Sequence, residues 1–85
     1  MQTHISIVSK YWLENERKVV ERIALVLHGT TEGIHEQSIG YKWMIGIGNN
    51  WWASAIENKK IVVASRYESA EFMQSLKVVL ERIFN

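Results

Sequence analysis

The chain has 85 residues, 47% of them apolar and 22% charged, with no cysteine and no proline. That length admits one domain around one small core, and the missing cysteines exclude disulfides, thiol nucleophiles and the commonest structural zinc sites. Ten basic residues against nine acidic ones leave a net charge of +1, too small for broad binding to phosphate backbones, so nucleic acid is not an expected partner.

No apolar run approaches the ~20 residues that span a bilayer. Met1 to Ser6 lacks the basic segment followed by an apolar stretch that marks a secretory signal. A cytoplasmic protein without a membrane partner is the expectation, and the missing cysteines fit a reducing compartment. A chain this short withdraws only about 60% of its unfolded surface from water, which favours a homodimer or another partner.

His4 to Val8 reads either as the first turn of a helix or as a separate edge strand, and the helix is preferred. From Ser9 to His28 the apolar positions Trp12, Leu13, Val19, Val20, Ile23, Ala24, Val26 and Leu27 recur at three and four. Glu14, Glu16, Arg17, Lys18, Glu21 and Arg22 take the other side, so the segment predicts an amphipathic helix. Gly29 can close it in the left-handed conformation. Thr30 to Gln37 reads as a polar loop.

Ile39 to Ile47 alternates strictly: Ile39, Tyr41, Trp43, Ile45 and Ile47 fall on one side, Gly40, Lys42, Met44 and Gly46 on the other. Asn49-Asn50 and Asn58-Lys59 offer turn residues that tolerate positive φ, which makes a three-stranded meander ending in the β-branched run Ile61-Val62-Val63. Glu68 to Phe84 is helical, capped either at Ser65, through its spacing to Glu68, or at Ser69. The predicted fold is α+β: helix, three-stranded antiparallel β-meander, helix, with both helices on one sheet face.

Two-residue loops at those turns pair Gly48 with Trp51, Trp43 with Ile56, Ile56 with Ile61 and Ala53 with Ala64. One face then collects Tyr41, Trp43, Ile45, Ile47, Trp52, Ser54, Ile56, Ile61, Val63 and Ser65 as core. The other has an alanine and glycine floor rimmed by Trp51, Met44, Lys42, Lys60 and Arg66. Lys42 and Lys60 flank Glu57, and Arg66 lies beside Trp51. Charge points the same way: Lys42, Lys59, Lys60 and Arg66 between Ser38 and Tyr67 face only Glu57, whereas Glu32 and Glu36 lie in the preceding loop. An apolar floor with a polar rim left open on a domain is an expected interaction site. The candidate binding residues are Trp51, Arg66, Lys42, Lys60, Met44 and Glu57.

Catalysis has little to build on. His28, Glu32, His35 and Glu36 lie close in sequence and could supply imidazoles and carboxylates to a metal or to a small hydrolase or ribonuclease, but Gly29 and Gly33 interrupt any helix that would align them. There is no aspartate, and no nucleophile stands in a recognisable motif. The glycines of Ile45-Gly46-Ile47-Gly48-Asn49 lack the Gly-Lys-Ser/Thr and helix start of a phosphate loop. No catalytic residue, metal or cofactor is therefore assigned.

The order helix, meander, helix resembles that of double-stranded-RNA-binding domains in topology alone. Those domains need basic residues where the second helix begins, and here that turn carries Glu68 and Glu71. The expectation is a non-enzymatic interaction protein, of the inhibitor, immunity or anti-defence type found on viruses and mobile elements, acting on a protein partner through the open sheet face or a dimer built on it. The alternative is a sequestering domain for a nucleotide-like anion, with Trp51 stacked on a base and Lys42, Lys60 and Arg66 on phosphate.

Overall fold

The computed structural model describes residues 3–8, 16–47, 50–58 and 60–85. In chain order they form β1 (Thr3–Val8), α1 (Glu16–His28), β2 (Ile34–Glu36), β3 (Trp43–Ile47), β4 (Asn50–Glu57), β5 (Lys60–Ser65) and α2 (Ala70–Phe84). The strands make one antiparallel sheet ordered β1-β5-β4-β3-β2, and both helices pack on the same face of it. The α+β class is as expected, with five strands in place of three.

Both extra strands lie where local signal was weakest. Thr3 to Val8 is extended, not helical: Ile5 and Ile7 are buried opposite Val63 and Ile61, while His4, Ser6 and Val8 take the other face. Two periods of alternation were too few to outweigh continuity with the helix that follows. Ile34–Glu36 turns part of the expected polar loop into a short edge strand along β3, stabilised by pairing that a three-residue window cannot reveal. With a strand leading the chain, the likeness in order to double-stranded-RNA-binding domains no longer holds.

The β4–β5 register is as read, with Ile56 opposite Ile61 and Ala53 opposite Ala64. Asn58 takes a positive φ of 49° between the paired Glu57 and Lys60. The β3–β4 register differs by two residues: Trp43 lies opposite Ser54 instead of Ile56, and Asn50 is a strand residue opposite Ile47. The expected Gly48–Trp51 pair and the turn residue Asn49 fall outside the described residues. A slip of two keeps every side chain on its face, and it brings Gly46 opposite Trp51. A methyl group at Gly46 would collide with the Trp51 ring, so the one β3 position without a side chain lies where the outward-facing β4 tryptophan needs room.

The alternation expected from Ile39 breaks before β3. Gly40 adopts a φ of +76°, and residues 38–42 bend instead of extending. Ile39 is consequently 86% exposed. Tyr41 leaves the core side, and Lys42 turns to α1, where its Nζ lies 3.1 Å from Glu16 Oε2 and 3.8 Å from Glu36 Oε1. A left-handed residue reverses the chain in a way that strict two-residue counting cannot follow.

The core comprises Ile5, Ile7, Trp43, Ile45, Trp52, Ile61 and Val63 from the sheet, with Val19, Val20, Ile23 and Ala24 of α1 and Met73, Leu76, Leu80 and Phe84 of α2. Each large side chain so buried contributes on the order of 1.5–3 kcal/mol. Trp12, Leu13 and Glu14 lie outside the described residues. Val26, read as an inward position, is instead partly exposed, as are Phe72 and Val79 of α2, along a groove of about 290 Å³ between the helices, above Trp52. Glu16 Oε1 accepts from the Trp43 indole N–H at 2.9 Å, tying the start of α1 to β3. At the other end Gly29 takes a φ of +71° and donates to the Leu25 carbonyl, the expected left-handed close. Ser69 wins the competition to cap α2, its Oγ accepting from Phe72 N–H at 3.1 Å. No helix among the described residues is long and apolar enough to cross a membrane.

Candidate functional site

The helices cover one face of the sheet. On the other, pairing places side chains in rows: His4, Ala64, Ala53, Met44 and His35 across all five strands, and Ser6, Val62 and Ala55 beside them. Ala53 and Ala64 are only 8% and 1% exposed, since taller neighbours shield them. The result is a shallow recess of about 430 Å³ lined by Tyr41, Met44, Trp51, Ala53, Ala64, Ser65, Arg66 and Tyr67.

Each wall has a local cause. Trp51 points away from Trp52 because adjacent strand residues alternate, and its indole lies over Gly46 with the His35 ring against it, centroids 5.9 Å apart. It stays 37% exposed. Gly33, with a φ of +81°, accepts at its carbonyl from Gly46 N–H, and a side chain on Gly33 would strike the Gly46 carbonyl oxygen. The ground beneath Trp51 is thus backbone laid on backbone.

Opposite, Ser65 is buried and its Oγ accepts from Tyr67 N–H at 3.2 Å and Glu68 N–H at 3.3 Å. That turn folds the end of β5 and sets Arg66 and Tyr67 at the rim. Tyr41 reaches the recess through the Gly40 bend. Arg66 is exposed and forms no ion pair among the described residues.

Three of the six expected binding residues, Trp51, Arg66 and Met44, are brought together in this recess. Glu57 and Lys60 face each other at the far end of the β4–β5 hairpin, outside its lining. Lys42 belongs to a different cluster. Instead of flanking Glu57 it hydrogen-bonds Glu16, and this bond, the nearby Glu16 charge and, more weakly, Glu36 raise its pKa above the ordinary lysine value against a small opposing desolvation. Its ammonium lies 5.8 Å from the Trp43 ring centroid. Tyr41 and Tyr67 were not read as site residues. Gly40 was the available signal for Tyr41, and Ser65 as a turn-former was the one for Tyr67.

The histidine cluster does not assemble. His35 lies on the open face against Trp51, whereas His28 ends α1 with a buried Nε2 that has no hydrogen-bond partner among the described residues. No three metal-capable side chains converge among the described residues. Among the described residues the recess lining holds no carboxylate or imidazole. What it can supply is three ring faces, one guanidinium and a flat alanine floor, which suits an apolar or aromatic group carried next to an anionic one. Comparison with known protein families, with curated proteins and with solved structures gives no match to this chain.

Proposed function

We propose that this chain is a non-catalytic binding protein that engages a protein partner through the open sheet face, its recess taking an aromatic or apolar side chain beside an acidic one. The observation that carries this reading is the convergence of Tyr41, Trp51, Tyr67 and Arg66 on an alanine-floored recess of about 430 Å³. Trp, Tyr and Arg are the residues that dominate interface energetics when they can be desolvated around a central contact. Small floor residues let a partner's side chain approach the backbone. An inhibitor- or immunity-type role, acting by occupying a partner's surface, asks for nothing beyond this face.

The test is selection of a displayed random-peptide library on the folded protein, with Trp51→Ala/Arg66→Glu as the counter-target. Enrichment of peptides pairing an aromatic with an acidic residue, bound by the native chain and not by the variant, supports the reading. Peptides that bind both proteins equally refute it.

A nucleotide-like anion is the second reading, favoured by Trp51 and Arg66 sharing one recess. It is weakened because Lys42 is engaged by Glu16 and Lys60 lies beyond the lining, which among the described residues leaves Arg66 of the three expected cations. Thermal stabilisation by nucleoside phosphates that disappears in Arg66→Glu would favour it over a protein partner.

A further inference from the structure

The two edges of the sheet are unlike. β2 spans only Ile34–Glu36, carries a charge and follows a glycine held against β3. β1 spans six residues, Thr3–Val8, pairs with β5 without a bulge, and contains no charged residue and no proline. Proteins guard exposed edges with short strands, charges, prolines, bulges or a cover. Among the described residues β1 has none of these along its outer side beyond a single side-chain contact at its Val8 end.

Two hydrogen bonds show which backbone groups face outward. Ser54 Oγ on β4 donates to the Val62 carbonyl at 3.0 Å, so Val62 turns its backbone groups toward β4. Val63 and Ile61 therefore turn theirs toward β1 and bond Ile5 and Ile7. Independently, the Asn85 side-chain amide donates to the Val8 carbonyl at 3.0 Å, so Val8 faces away from β5. His4, Ser6 and Val8 thus present their N–H and C=O groups at the edge, with the last of these carbonyls already taken.

We infer that this edge pairs with the same edge of a second copy, antiparallel about a two-fold axis at Ile5, joining two sheets into one. The register follows from the accounting of groups. Pairing about Ser6 would need the Val8 carbonyl, which Asn85 holds. Pairing about Ile5 sets His4 of one copy against Ser6 of the other, where they exchange N–H···O bonds on both sides of the axis. Ile5 then meets Ile5 on the helix face, and Thr3 meets Ile7.

Charge fits a second copy. An uncharged strand sets no like charges against each other when it meets itself. α2 packs over β1, and by helical spacing Lys77 and Glu81 lie on its flank away from the interhelical groove. Neither forms an ion pair among the described residues. The two-fold axis runs the two copies of α2 antiparallel and brings the lysine flank of each toward the glutamate flank of the other. The dimer leaves the recess around Trp51 open on both copies, so it does not rest on the function proposed above.

Sedimentation velocity across a concentration series tests it. The native chain is expected to self-associate to a dimer. His4→Lys/Ser6→Lys and His4→Glu/Ser6→Glu, substituted on the open face away from the core, are each expected to weaken self-association by at least about tenfold, since each crowds like charges at the axis. An equimolar mixture of the two is expected to recover a dimer. A monomeric native chain at every concentration overturns the inference, as does a dimer that both variants retain, or one that Trp51→Ala splits while the charged variants do not. Should either charged variant not fold, amide exchange on the native chain decides: concentration-dependent protection of the His4 and Ser6 amides supports the pairing, and exchange independent of concentration refutes it.

Discussion

Replacing Gly46 by alanine would put a methyl group into the space occupied by the Trp51 indole. The indole cannot deform, so it must lift from the sheet or rotate away from His35. Trp51 is 37% exposed, and a tryptophan with about two-thirds of its surface out of water hides on the order of 150 Å². At roughly 25 cal/mol per Å² that burial is worth at most about 4 kcal/mol. Partial displacement forfeits about half of this in effect, and the alanine returns about 0.5–1 kcal/mol by restricting the unfolded chain. The net expected loss is about 1–1.5 kcal/mol, a fall in Tm of about 4–12 °C for a domain of this size, read by circular dichroism melting and by urea titration. The decisive arm is the double-mutant cycle: in a Trp51→Ala background Gly46→Ala should be neutral or slightly stabilising, because nothing is left to displace. If the two substitutions add, the indole is not seated on Gly46 and the recess loses its main wall.

Glu16→Ala should destabilise by about 1–3 kcal/mol, because it strands the part-buried Trp43 indole N–H, whereas Glu16→Gln retains an acceptor and should recover much of that in the same urea titration. The Lys42 pKa is raised above its unfolded value, so the stability it contributes is fully present below the ordinary lysine range and is lost as pH rises through the raised value. Unfolding midpoints followed from neutral pH to above pH ~11 should therefore fall more steeply for the native chain than for Lys42→Met. A parallel pH dependence in the two would show that this pairing carries no linkage. Ser69→Ala, which removes the cap on Phe72 N–H, should lower stability by about 1 kcal/mol in thermal melts, and an unchanged melt would mean that the start of α2 is held by packing alone.

Helical periodicity was enough to place both helices, and two-residue alternation from Trp51 to Ser65 was enough to separate the two faces of β4 and β5. Those patterns are local: they depend on which neighbours in the chain share a side, and they set Trp52, Ile61 and Val63 inward and Trp51 and Ala64 outward before any contact is known. They placed Met44 correctly as well, even with β3 slipped against β4, since a shift of two preserves the face.

Tertiary structure decided what no short window contains. β1 extends because β5 offers it a partner distant in sequence, and β2 because β3 folds back along it. The β3 register was set by the space that Trp51 needs over Gly46. Lys42 left the open face because a single left-handed residue, Gly40, turned the chain toward α1, where Glu16 stabilises its ammonium. The same turn delivered Tyr41 to the recess. The physical reason is common to all of these: side-chain direction follows from the sequence while the backbone remains regular, and it passes to long-range pairing and steric fit wherever a glycine or a strand edge interrupts that regularity.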